Sequence, residues 1–94
     1  MEKKTQSDPA QKLKKRRKAI DLIDQKLLKL LNQRTRIAQD IGKIKKEMGG
    51  KVYDPEREKE ILKRLKLKNK GPLKGENLKK IFSTVMKISR KSQI

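Results

Sequence analysis

The chain has 94 residues, enough for one domain, and a domain this short buries a comparatively small fraction of its surface. Only 32% of the residues are hydrophobic and 43% are charged, so the apolar residues suffice for a few amphipathic helices but not for several core layers. Histidine and cysteine are absent, which excludes imidazole bases, thiolate nucleophiles, disulfide bonds and the commonest metal ligand. Any catalysis must depend on Arg, Lys, Asp, Glu, Ser and Gln, and we expect no metal site.

The net charge of +18 indicates an anionic partner, either a nucleic acid or a small molecule. The first four residues, Met1–Lys4, are not followed by the apolar run of a signal peptide, and no stretch approaches transmembrane length. We therefore expect a cytoplasmic protein without a membrane partner. Residues 1–12 are predicted to be a basic and polar extension, and residues 13–94 to be the single domain.

The first predicted helix is unusually long. Asp8 and Pro9 are residue types preferred at an N-cap and at the first helical position. From Leu13 to Met48, Gly42 is the only Gly or Pro. A helix from about residue 10 to residue 48 would be roughly 58 Å long, more than the width of a domain of this size. We therefore expect it to pack against the same helix of a second chain. Its apolar residues recur at steps of three and four, with one place skipped: Ile20, Ile23, Leu27, Leu30, Ile37, Ile41, Ile44 and Met48.

Two shorter helices are predicted after the long one. The pair Gly49–Gly50 ends the first helix, and Asp54–Pro55 begins the second. The second helix stops at Asn69–Pro72, and its apolar stripe consists of Ile61, Leu62 and Leu65. The third covers about residues 76–93, with a face formed by Leu78, Ile81, Phe82, Val85 and Ile88. Because no strand pattern occurs, the sequence predicts an all-α protomer of three helices.

Several polar residues lie where the first helix would bury apolar ones. Arg34 occupies the skipped place in the apolar seam, and a guanidinium there needs an anion. Lys45 is eleven residues further on, which returns to within about 20° of the same face. Arg17 is about 100° away from Arg34 around the helix, so it is expected to reach the pocket of a second, antiparallel chain instead. Solvent exposure is the default interpretation for each, and only the seam position of Arg34 argues against it.

The other two helices carry further candidates, each with a simpler interpretation. Arg57 and Glu58 border the apolar stripe of the second helix, although a local ion pair would explain both. Asp54 is the best N-cap candidate. Ser89 and Gln93 continue the stripe of the third helix, although a frayed and solvated helix end would also explain them.

Five stretches of the chain, in this order and spacing, resemble the AroQ class of chorismate mutases. The resemblance covers roughly residues 14–93 and is carried by Arg17–Asp24, Leu27–Arg34, Ile41–Lys45, Val52–Glu58 and Gly71–Leu73. It implies a homodimer in which the long helices intertwine and two equivalent active sites draw residues from both chains. It also implies an enzyme of aromatic amino-acid biosynthesis that rearranges chorismate to prephenate.

The resemblance further implies a role for each candidate residue. Arg34 and Arg17 of the partner subunit would hold the two carboxylates of chorismate, while Lys45 would contact a carboxylate and the ether oxygen. Gln93 would donate to the ether oxygen. Asp54 and Glu58 would engage the substrate hydroxyl region. Arg57 and Ser89 would contact or orient the bound carboxylates. The rearrangement is unimolecular and needs no nucleophile, proton transfer or metal, so we expect no cofactor.

Three alternatives remain open from the sequence. An isochorismate pyruvate-lyase has a related fold and a similar dianionic substrate, and the region Gly49–Val52 would distinguish it. A basic helical nucleic-acid-binding protein would use Lys12–Lys18 and Lys63–Lys80, but Tyr53 and Phe82 are the only aromatic residues available for base stacking. We therefore expect only non-specific binding of nucleic acids. The domain could also be part of a fusion with another shikimate or prephenate enzyme.

Overall fold

The computed structural model describes residues 8–94, and this part of the chain contains three α-helices and no strand. The helices are α1 (Pro9–Glu47), α2 (Pro55–Lys68) and α3 (Gly75–Ser92). The prediction of an all-α protomer with a long first helix is thus confirmed for the described residues. Residues 1–7 of the predicted extension lie outside that range, and α1 continues without interruption across the predicted boundary at residue 12.

Both ends of α1 form as their sequences predict. Asp8 Oδ1 accepts a hydrogen bond from the Ala10 N–H at 3.1 Å, which satisfies one of the free donors of the first turn. At the other end Gly49 has a φ of 70°, and the Gly50 N–H donates to the Lys45 carbonyl at 2.7 Å. This arrangement is a Schellman motif, and it turns the chain sharply out of α1.

The second and third helices pack against each other. Asp54 caps α2 through a 3.0 Å hydrogen bond from the Arg57 N–H to its Oδ1, with Pro55 in the first turn as expected. Asn69 ends α2, and its side chain bonds to the Gly71 N–H and the Leu73 carbonyl. The N-cap of α3 is Lys74, which has no side-chain cap, so α3 begins with less local support than α2.

The chain divides into two compact units, the first ending at Gln33 and the second covering Arg34–Ile94. Buried apolar side chains occur in the second unit only, among the described residues, and they are Ala38, Leu78 and Met86. On α3, Phe82 and Val85 are half-buried on the same side as Leu78, as the stripe predicted. Ile81 and Ile88 of the predicted face remain 49% and 53% exposed.

The predicted apolar seam of α1 is not covered within the protomer. In the first unit Ile20, Ile23, Leu27 and Leu30 are each more than half exposed. In the second unit the seam residues are also exposed, from 40% to 78%, and they are Ile37, Ile41, Ile44 and Met48. Within residues 8–94, no helix combines the length and apolar composition that crossing a bilayer requires.

Candidate active site

A cavity of about 440 Å³ lies in the second unit, where α1, α2 and α3 each contribute residues. Its size suits a small organic ligand. The lining residues are Arg34, Ile37, Ala38, Ile41, Lys45, Val52, Asp54, Arg57, Glu58, Ile61, Met86, Ser89, Arg90 and Gln93. Seven of the eight residues predicted for the site are thus brought together around one space.

One face of α1 carries two cations and two small residues, and all of them except Gly42 line the cavity. Arg34 and Lys45 are half-buried, and between them Ala38 and Gly42 are buried at intervals of four residues from Arg34. The spacing of four residues from Arg34 to Ala38 and on to Gly42, followed by three residues to Lys45, places all four on one face of the helix. The two cations were predicted from the sequence and the two small residues were not, although small side chains spaced by four between two cations indicate close packing.

Arg34 is fixed by α3. Its Nη1 donates to Ser89 Oγ, and that hydroxyl in turn donates to the Val85 carbonyl at 3.0 Å. A hydroxyl has only one proton to give. Ser89 therefore acts here as an acceptor that orients the guanidinium of Arg34. The role implied by the resemblance, contact with the substrate carboxylates, stays a prediction.

Lys45 joins two other parts of the cavity wall. Its Nζ donates to the Val52 carbonyl at 2.9 Å and to Gln93 Oε1 at 3.1 Å. An ammonium has three N–H donors, so these two bonds leave one for a bound ligand. Gln93 uses its carbonyl oxygen in this contact, which leaves its amide NH₂ to donate. Gln93 and Ser89 are both half-buried, so the alternative of a solvated helix end is wrong.

The α2 side carries two carboxylates and one exposed cation. Asp54 uses Oδ1 in the cap of α2, so the predicted capping role is present beside its position in the cavity wall. Arg57 donates through Nη1 to Glu60 at 2.6 Å. The local ion pair expected for Arg57 therefore exists, but its partner is Glu60 and not Glu58.

Glu58 instead pairs with Arg90, a cavity residue that the sequence argument missed. Arg90 Nη1 lies 2.5 Å from Glu58 Oε2, and the Arg90 guanidinium carbon is 4.8 Å from the centroid of the Tyr53 ring. The carboxylate and the aromatic face together hold the guanidinium. Thirty-two residues separate Glu58 from Arg90, and no local pattern connects them.

The wall carries four cations and two carboxylates, which leaves an excess of two formal positive charges. An excess of this size suits a dianionic ligand. The remaining predicted residue, Arg17, is an exposed residue of the first unit and is not part of the cavity wall. Among the described residues, no group of three or more Asp and Glu side chains is arranged to hold a metal ion.

A small all-helical domain with a cationic cavity lined by Arg, Lys and Gln defines the class of helical proteins that bind a small dianion. Residues 16–94 match the family model described as chorismate mutase type II. The chain is also 39% identical over 84 residues to the chorismate mutase of Methanocaldococcus jannaschii, a match that covers 88% of this chain and 85% of that protein. This chain belongs to the type II chorismate mutase family.

Two further relatives show how much of each protein the similarity covers. The chorismate mutase of Helicobacter pylori, solved in complex with prephenate, has a TM-score of 0.80 and 44% identity, covering 86% of this chain and 88% of that one. The bifunctional chorismate mutase/prephenate dehydratase of Neisseria gonorrhoeae is 47% identical over 70 residues, which is 74% of this chain and 19% of that protein. The chain therefore spans about a fifth of the length of the bifunctional relatives it matches.

Proposed function

We propose that this chain is a chorismate mutase that converts chorismate to prephenate. The observation that carries the proposal is the junction of Lys45 and Gln93, whose 3.1 Å contact brings two hydrogen-bond donors to one side of a cationic cavity. In the rearrangement the ether C–O bond breaks while a new C–C bond forms within the same molecule. Negative charge develops on the ether oxygen as its bond breaks, and donors placed there stabilise the transition state.

Each donor at this junction has capacity for the ether oxygen. The third N–H of Lys45 and the amide NH₂ of Gln93 are the groups not used in their mutual contact. Because both side chains are held before substrate binds, little reorganisation is needed at the moment of reaction. Arg34, oriented by Ser89, is proposed to bind a substrate carboxylate and so to restrain the flexible side chain near its reactive conformation.

The α2 side of the cavity is proposed to bind the other end of the substrate. Glu58 and Asp54 can accept hydrogen bonds from the ring hydroxyl, with Glu58 fixed by its ion pair to Arg90. Arg57 borders the same region, and its charge favours the bound carboxylates. None of these side chains is required to exchange a proton with the substrate.

We further propose that the active form is a homodimer. The support is the apolar seam of α1, whose eight residues are all exposed in the protomer although they recur with helical periodicity. A second copy of α1 has the matching length and pattern to cover that seam. Arg17 of the partner subunit would then add a cation to each site, as the family resemblance implies.

The proposed function is tested by mixing purified protein with chorismate, following the loss of its diene absorbance and identifying prephenate as the product. Arg34→Ala should lose activity by at least 10²-fold, since a carboxylate anchor and the orientation of the substrate are lost together. Arg36→Ala is the matched control, because Arg36 is an exposed residue of α1 outside the cavity.

Two results would contradict the proposed function. A folded native protein that leaves chorismate unchanged but releases pyruvate and salicylate from isochorismate would be a lyase. A protein inactive on both, with steeply salt-dependent retention of DNA or RNA, would support the nucleic-acid alternative.

A further inference from the structure

Gly42 is a buried helical residue that lies directly against the main chain of Gln93. A Cβ atom built at Gly42 would lie 2.5 Å from the Gln93 carbonyl oxygen, 2.7 Å from its Cα and 3.0 Å from its carbonyl carbon. All three are main-chain atoms, so no side-chain rotation can relieve the overlap. The missing side chain of Gly42 is therefore what allows the residue after α3 to approach α1 so closely.

We propose that Gly42 is a positioning residue for catalysis, which sets the location of Gln93 and, through it, of the Lys45–Gln93 pair. The inference rests on the proposed function, because its consequence for rate depends on Gln93 contacting the substrate. Gly42 is one turn of α1 before Lys45, so a single helix face holds both the Gln93 main chain and the cation that binds the Gln93 side chain.

A methyl group at position 42 would displace the Gln93 main chain far enough to break the hydrogen bond between Lys45 and Gln93. Non-bonded atoms reach favourable separations near ~3.5 Å, so a methyl group at position 42 would push the Gln93 main chain by about 1 Å. The Lys45–Gln93 contact is already 3.1 Å long and would move beyond hydrogen-bonding distance. Misplacement of this size is sufficient to reduce a rate by roughly 10²-fold.

The test is Gly42→Ala, with Gly75→Ala as the matched control. Gly75 also lies in a helix, and a Cβ there would meet nothing within 4 Å, so the same substitution has no steric consequence. Gly42→Ala should lower kcat by roughly 10²-fold with little change in KM, since Arg34 and Ser89 are untouched. Gly75→Ala should retain the native kcat.

A double-mutant cycle separates positioning from general damage. Once Gln93→Ala has removed the side-chain donor, adding Gly42→Ala should reduce kcat by less than about 3-fold, because the two changes remove the same interaction. Independent, multiplying losses would overturn the proposal. So would a Gly42→Ala protein with native kcat.

A thermal measurement tests the steric contact without any activity. Gly42→Ala should lower Tm, and deleting residues 93–94 from that variant should raise Tm to at least that of the deletion alone, because the clashing main chain is gone and alanine favours a helix more than glycine does. A Tm that remains low would place the cost of the methyl group elsewhere and overturn the proposal. If the native chain does not rearrange chorismate, the proposed function fails, while this Tm comparison still decides whether Gly42 sets the position of Gln93.

Discussion

Lys45 connects two separate parts of the cavity wall. It binds the Val52 carbonyl before α2 and the Gln93 side chain after α3, so its ammonium is fixed from two directions. A cation fixed in this way loses little further freedom when substrate binds. In the proposed mechanism, its remaining N–H is therefore already oriented for the charge that develops in the transition state.

Replacing Lys45 by alanine should reduce kcat by roughly 10²–10³-fold, the cost typical of losing one donor to a developing oxyanion. Lys43→Ala is the control, because Lys43 is an exposed lysine on the same helix. Steady-state kinetics on both variants, with circular dichroism to verify folding, provide the measurement. An unchanged kcat/KM for Lys45→Ala would remove Lys45 from the proposed role.

Arg34 was predictable from the sequence because it interrupts the apolar seam of α1. The other candidate residues each had a simpler interpretation, and the family resemblance selected them. Arg90 is one of 29 Lys and Arg residues in the chain, and neither the apolar pattern nor the resemblance distinguished it. Its importance comes from Glu58 and Tyr53, two partners that only the folded chain brings to it.

The bounds of α1 and the start of α2 were predictable because they contain residues with strong positional preferences, whereas α3 was predicted from its apolar face. Asp8–Pro9 and Asp54–Pro55 begin α1 and α2, and Gly49 with its positive φ ends α1. Packing between helices was less predictable. Met86 is only 3% exposed although it was not assigned to the apolar face of α3. Because a helix has 3.6 residues per turn, the same sequence pattern fits several neighbouring faces, and only tertiary contacts select the one that is buried.

The left-handed conformation of Gly49 stabilises the end of α1. Gly49→Ala forces an alanine into the left-handed region, at a cost of about 1 kcal/mol, and should lower Tm by roughly 4–8 °C. Gly50→Ala is the control, because Gly50 does not have a positive φ and its Cβ would make an ordinary 3.6 Å contact. Thermal unfolding followed by circular dichroism compares the two, and equal Tm values would contradict the argument.

The protomer as a whole has little buried apolar surface for a stable domain. Three apolar side chains are buried among the described residues, whereas eighteen large hydrophobic residues are exposed. Surface of this kind is rarely left open to water in a monomer. The amino-acid composition already indicated a shared core, and the length and apolar periodicity of α1 predicted that a second copy of this helix would cover it.

A charge in the seam should therefore disrupt both assembly and activity. Leu27→Asp is expected to convert a dimer to a monomer and to reduce activity, because a carboxylate would be buried without a partner. Lys26→Asp introduces the same residue at an exposed position outside the seam and should leave the dimer intact. Sedimentation velocity at several concentrations measures the change, and a native protein that is monomeric at all of them would contradict the dimer.

The hydrogen bonds that shape the cavity connect residues far apart in the chain. Arg34 and Ser89 are separated by 55 positions, Lys45 and Gln93 by 48, and Glu58 and Arg90 by 32. Helical hydrogen bonds, in contrast, span only four residues and form without closing a long loop. We therefore expect the cavity contacts to form later in folding than the local helical turns, because closing the long loops between their partners costs chain entropy.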